Sequence, residues 1–122
     1  MQNDPLTARV IGCCFRVHSE LGPGFPEKIY HSALKRALDQ LGILNESERD
    51  FQVSFRGARV GSFKIDLLVE GRVVVEVKAV TGLIPKVFEA QVLAYLKATG
   101  LPVGLLVNFG NPSCQIRRVV FK

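Results

Sequence analysis

Apolar positions recur along the chain in two periods, helical spacing in three segments and alternation or solid apolar runs in the others. Leu6, Val10, Ile11, Cys14, Val17, His18 and Leu21 share one helical face. Asp4-Pro5 supplies an N-cap and a first turn, and Gly22 a stop. Gly22-Pro23-Gly24-Phe25-Pro26 makes a rigid corner, and Pro26 opens a second helix. Its stripe is Ile29, Tyr30, Ala33, Leu34, Ala37, Leu38 and Leu41, ended by Gly42. Residues 45–50 are polar and acidic and predict a surface connection. Phe51, Val53 and Phe55 then alternate with polar residues as a half-buried strand.

Residues 60–70 predict a second strand. Phe63, Ile65, Leu67 and Val69 fall on one face, Lys64, Asp66, Leu68 and Glu70 on the other, and Gly61 marks a bulge or bend. Residues 72–80 crowd five valines around Glu76 and Lys78 and predict a strand buried on both faces. After a loop at 81–85 comes a third helix, running to about Thr99. Val87, Ala90, Gln91, Ala94, Tyr95 and Ala98 form its inner face. Gly100 caps it, and strands at 103–108 and 114–121 end the chain. The order helix, helix, three strands, helix, strand, strand implies an α/β domain over residues 1–122. Its mixed central sheet is flanked by helices, and a right-handed crossover makes the fourth strand parallel to a meander strand.

Composition narrows this little. The chain has 122 residues, enough for one domain with its own core, and a net charge of +5, which permits a polyanionic partner without requiring one. Cys13, Cys14 and Cys114 have no metal or CxxC spacing and read as reduced core thiols. No signal-like or membrane-length segment is present, which points to a cytoplasmic protein.

Charged groups inside strands change the picture. A buried carboxylate is costly unless it is paired or serves chemistry. The turn after Val69 decides which. A two-residue loop at Glu70-Gly71 would turn Asp66 away from Glu76. A three-residue loop, 69–71, pairs Leu68 with Arg72 and Asp66 with Val74, and sets Asp66, Glu76 and Lys78 on one face. Gly71 at its third position favours the longer loop. Glu27, on the inward stripe at the second helix's first turn, suits either the helix dipole or a site. Gln91 adds an inward polar group. Carboxylates so gathered repel, and a hard divalent cation, Mg²⁺ or Mn²⁺, would compensate them. Lys78 could orient or deprotonate a water or stabilise a transition state. The rival is structural: a Glu76–Lys78 ion pair, with Asp66 bonded to backbone. His18 reads as a hydrogen-bonded core or rim residue, and the hydroxyl of Tyr30 seeks Glu27 or Gln91. Arg16, Lys28, Lys35 and Arg36 are solvated helix faces or, near Glu27, phosphate contacts.

Gly24-x-x-Glu27-x-x-Tyr30 resembles the signature of the GxxExxY protein family. Residues 65–69, 75–80, 89–97 and 104–110 are similar to its later blocks, in the same order. The family belongs by resemblance to the PD-(D/E)XK nuclease-like superfamily. That implies a restriction-endonuclease-like αβββαβ core, here with an extra N-terminal helix. It implies Asp66 and the pair Glu76-x-Lys78 as the central motif, Glu27 as the helix acid, and Gln91, with Tyr95 beside it, as the polar positions of the following helix. The proline of the superfamily name is absent, since Ile65 precedes Asp66. The function so implied is Mg²⁺- or Mn²⁺-dependent hydrolysis of nucleic acid, DNA ahead of RNA. Asp66, Glu76, Glu27 and the Val77 carbonyl would hold the metal. The alternative is a non-cleaving module that binds nucleic acid or a protein. A homodimer would extend the small contact surface.

Overall fold

A computed structural model describes residues 4–121. Helix α1 (Pro5–Leu21) begins at Asp4, whose carboxylate accepts the Leu6 N–H at 2.9 Å, and ends at Gly22. Helix α2 (Glu27–Gln40) follows the Pro-Gly corner. Strands β1 (Asn45–Phe55), β2 (Ala58–Val69) and β3 (Val73–Lys78) form an antiparallel meander. Helix α3 (Lys86–Thr99) crosses over to β4 (Val103–Asn108), which runs parallel to β3, and β5 (Gln115–Val120) returns antiparallel. The sheet order is β1-β2-β3-β4-β5, so β3 is central. Among the described residues no helix is long and apolar enough to cross a membrane.

Each sheet face has its own core. On one, α1 and α2 cover Leu67, Val69, Val73, Val75, Val77, Leu105 and Val107 with Leu6, Val10, Cys14, Tyr30, Leu34 and Leu38. On the other, α3 brings Val92 and Leu96 against Ile65, Leu68, Val74 and Leu106. This corrects the expected α3 face: Val87, Ala90, Gln91, Ala94 and Ala98 are exposed, and Phe88, Val92, Tyr95, Leu96 and Thr99 turn inward. The small-residue stripe misled because the close approach is made by Gly104 instead, where a Cβ would stand 2.5 Å from Val92.

Two further expectations are corrected. Residues 45–50 are strand, paired with β2 through backbone bonds that need no apolar alternation. Ile65 and Leu67 do not share a face, for Ile65 packs under α3 and Leu67 under α1 and α2. The side-chain alternation switches at Asp66, the rung where Glu48 on β1 takes a left-handed φ of 53°.

The β2–β3 turn also differs in detail. Glu70 and Gly71 both have positive φ, and the Arg72 N–H bonds the Val69 carbonyl at 3.0 Å. Arg72 is then an extra residue before the ladder opens as Val69↔Val73, Leu68↔Val74 and Leu67↔Val75. The register is shifted by two from the expected Leu68–Arg72 pairing. A shift of two keeps the side-chain faces and sets Asp66 level with Glu76 rather than diagonal to it.

The segment after β3 is clamped from β4. Asn108, fully buried, accepts from the Val80 N–H and donates to the Val80 carbonyl, at 2.8 and 2.9 Å. Asn111 does the same for Gly82. Gly110 passes so close that a Cβ would lie 2.4–2.6 Å from the Val80 backbone. Gly110→Ala should therefore destabilise by about 3 kcal/mol or more, since rigid backbone must shift. Gly12→Ala, with nothing within 4 Å inside α1, should stabilise by roughly 0.5–1 kcal/mol. Urea midpoints of the two variants, displaced in opposite directions, are the check.

Candidate active site

The site lies where β2 and β3 part. Below the fork the strands pair through backbone; at it, side chains take over. The Asp66 N–H donates to Glu76 Oε2 at 2.9 Å, and the Val77 N–H donates to Asp66 Oδ2 at 2.8 Å. The Asp66 and Glu76 carboxylates thus cross-link the diverging strands. The second oxygen of each carries no hydrogen bond among the described residues. The N–H and C=O of one strand residue project from the same edge, so the Val77 carbonyl faces the fork too.

Glu27 reaches this place from the first turn of α2. Together with Pro26, Lys28, His31, Glu48, Asp66 and Val77 it lines an open cleft of about 350 Å³. Glu76 lies deeper, only 4% exposed. Burial first, and then the Asp66 charge, push its carboxyl up to about 8, against the pull of the Asp66 N–H and of Lys78. Partial burial raises Glu27, aided by Asp66 and opposed by Lys78 and His31. The hydroxyl of Tyr95 is raised by burial and then by the Glu76 and Asp66 charges, so α3 closes the far side. Tyr95 is held there by stacking on Phe63, ring centroids 4.2 Å apart.

Lys78 makes no ion pair within 4 Å among the described residues; its ammonium sits 4.5 Å from the Phe88 ring centroid. Of the structural alternative, the Glu76–Lys78 pair is absent among the described residues, whereas the bond from backbone to Asp66 is present at the Val77 N–H. The cation–π contact holds the ammonium at modest gain and leaves it without a fixed anionic partner. Gln91 is exposed and joins no hydrogen bond among the described residues. Tyr30 does not bond Glu27 or Gln91. Its hydroxyl donates to the Gly22 carbonyl and accepts from the Phe25 N–H, and its ring stacks on Phe109 at 4.7 Å. Tyr30 thus fixes the corner that launches Glu27. His18 bonds the Asn111 carbonyl at 2.8 Å, away from the cleft lining. Lys28 and Lys35 border the groove beside the cleft, whereas Arg16 and Arg36 line a separate groove between α1 and α2. Arg117 pairs with Glu89 and Arg118 with Thr7, on opposite faces of β5.

Glu48 is the acidic residue that sequence reasoning missed. The only signal for it is its place on the rung of Asp66, hidden by reading residues 45–50 as a loop. Among the described residues no three His, Cys, Asp or Glu side chains gather tightly enough to hold a metal by themselves.

A helix acid, a strand Asp and a Glu-x-Lys at a fork in a mixed sheet define the restriction-endonuclease-like class. The chain belongs to the PD-(D/E)XK nuclease superfamily, whose family model matches residues 4–119. Among solved structures it resembles SSO0001, with a TM-score of 0.59 at 19% identity, over 76% of this chain and 48% of that one. The chain thus spans about half the length of that protein. No curated protein sequence matches it.

The high Glu76 carboxyl has a consequence for stability. The folded state holds a proton that the unfolded chain releases above its ordinary pKa of 4.5. Stability is full below that value and is lost as pH rises to about 8, by up to about 1.4 kcal/mol per pH unit. In chelator, the urea midpoint should fall between mildly acidic and mildly alkaline pH. Glu76→Gln should flatten that slope; an equal slope in the variant would assign it to other groups.

Proposed function

We propose that the protein is a Mg²⁺- or Mn²⁺-dependent nuclease hydrolysing phosphodiester bonds. The observation that carries this reading is the fork itself: two carboxylates at close range, each with one oxygen unused, beside a backbone carbonyl. Such an all-oxygen donor set fits a hard cation, with water completing the shell in the absence of a third close carboxylate. Asp66, Glu76 and the Val77 carbonyl would hold it, with Glu27 and Glu48 facing it across the cleft. A cation there would supply Lewis-acid stabilisation of phosphoryl charge and a more acidic bound water.

The chain's own groups do the rest. The Val77 N–H and the Asp66 N–H fix the two carboxylates, so their free oxygens are oriented before substrate arrives. Lys78, unpaired and half-buried, would position the attacking water or stabilise negative charge on the phosphate. Lys28 and Lys35, beside the cleft, would receive the phosphate backbone. We further assign the chain to the GxxExxY family on its motifs, and infer a cytoplasmic protein acting on DNA ahead of RNA. Pairing of two copies would bring two sites to two strands.

One observation favours the non-cleaving alternative: both carboxylates already satisfy backbone amides, as in a structural role. Titration calorimetry with Mn²⁺ separates the two readings, because a nuclease should bind the ion through Asp66 and Glu76. In cleavage assays on single- and double-stranded DNA and RNA, Asp66→Asn and Lys78→Met should each lower activity by about a hundredfold or more. Cleavage that survives both substitutions, or no cleavage on any substrate, sinks the nuclease reading.

A further inference from the structure

We propose that the β1–β2 ribbon beyond the fork is a DNA-binding arm whose tip enters the major groove of a B-form duplex. This deepens the nuclease reading and rests on it for the identity of the substrate.

The ribbon is anchored at its root and free at its end. Phe51 and Phe63 stack on each other at 5.8 Å, and Phe63 stacks on Tyr95 of α3. Beyond them, residues 54–62 are exposed without interruption. The end is stiff rather than loose. Phe55 pairs with Ala58, and Arg56 and Gly57 close the hairpin with φ of 52° and 79°. Two left-handed residues make the tight turn whose twist matches that of paired strands. The register slips between Val53 and Ser54, leaving Val60 as an extra residue, which deepens the twist toward the tip.

Charge and apolar surface coincide there. Residues 51–64 contain Arg56, Arg59 and Lys64 and no Asp or Glu. Lys64 meets Asp50 at 3.3 Å, but Arg56 and Arg59 have no carboxylate within 4 Å among the described residues. The Arg56 guanidinium lies over the Phe55 ring at 5.1 Å. Phe55 and Val60 are 62% and 61% exposed. One exposed apolar side chain means little; two at the exposed hairpin end, flanking arginines that have no carboxylate partner among the described residues, match a polyanion with an apolar interior.

Duplex DNA is such a partner. Its major groove, about 12 Å wide, admits a two-stranded ribbon; thymine methyls offer apolar contact and the phosphates face the arginines. The A-form groove of duplex RNA is too narrow to admit it. Asp66 lies seven residue steps along β2 from Arg59. At about 3.3 Å per residue the arm reaches up to about 23 Å from the fork, or roughly seven base pairs.

The test is fluorescence anisotropy of the full chain on a labelled DNA duplex and on the matching RNA duplex, in EDTA, across a salt series. Arg56→Gln with Arg59→Gln should weaken DNA binding about tenfold or more and reduce the salt slope by about 2. Phe55→Ala should weaken it with the slope unchanged. All three sites are exposed, and matching thermal melts establish that the variants fold. Variants that bind DNA as wild type does, equal dependence on the arm for RNA, or no DNA binding by the wild type would each overturn the arm. Arm-dependent binding without cleavage in Mg²⁺ keeps the arm and removes the nuclease; cleavage of duplex DNA undiminished in the arm variants does the reverse.

Discussion

The structure turns on two crossed hydrogen bonds at the fork, from the Asp66 N–H to Glu76 and from the Val77 N–H to Asp66. Where the ladder would continue, each carboxylate accepts a backbone donor of the neighbouring strand. Each side-chain oxygen takes the place of a ladder carbonyl, so the strands can part without leaving these buried amides unpaired. That one substitution of side chain for backbone lets β2 swing away and switches its faces at Asp66. The cleft that α2 then faces opens at the same place. Burial at the fork, and then the Asp66 charge that anchors the other strand, make Glu76 hard to ionise.

Most motif residues outside the fork serve to aim it. Tyr30 ties its hydroxyl to the corner at Gly22 and Phe25, which sets the direction in which α2 presents Glu27. Phe109 supports the Tyr30 ring, and His18 extends the stack while bonding Asn111. Asn108 and Asn111 hold the segment leaving β3, immediately beyond Lys78. Rings and amides thus connect α1, α2, β3 and β4 into one support around the fork.

How much of this was legible follows from what each signal measures. Helices α1 and α2 were legible because caps, prolines and glycines are local chemistry. The facing of Asp66 with Glu76 was legible because it depends only on parity; the register was not, since an extra Arg72 after a tight turn looks the same in sequence as a different loop. The first half of β1 was hidden because an exposed strand is held by backbone pairing and carries no apolar period, and Glu48 was hidden with it. The inner face of α3 was misjudged because small residues look buried, whereas Gly104 on the opposing strand decides which side of the helix comes close. Tyr30 was given the wrong partner because a hydroxyl's need for a partner is legible and the backbone carbonyl that answers it is not.

The fork also explains why so small a chain carries so solid a valine core. Holding two carboxylates together under burial opposes folding, and Lys78, which makes no ion pair with them among the described residues, offsets it only in part. That destabilisation is offset by apolar burial on the very strand that carries the acid. Strand β3 does this on both faces, with Val73, Val74, Val75 and Val77 fully buried around Glu76. Each such side chain contributes on the order of 1.5–3 kcal/mol relative to exposure. The strand that carries the buried acid is thus packed with apolar side chains on both faces.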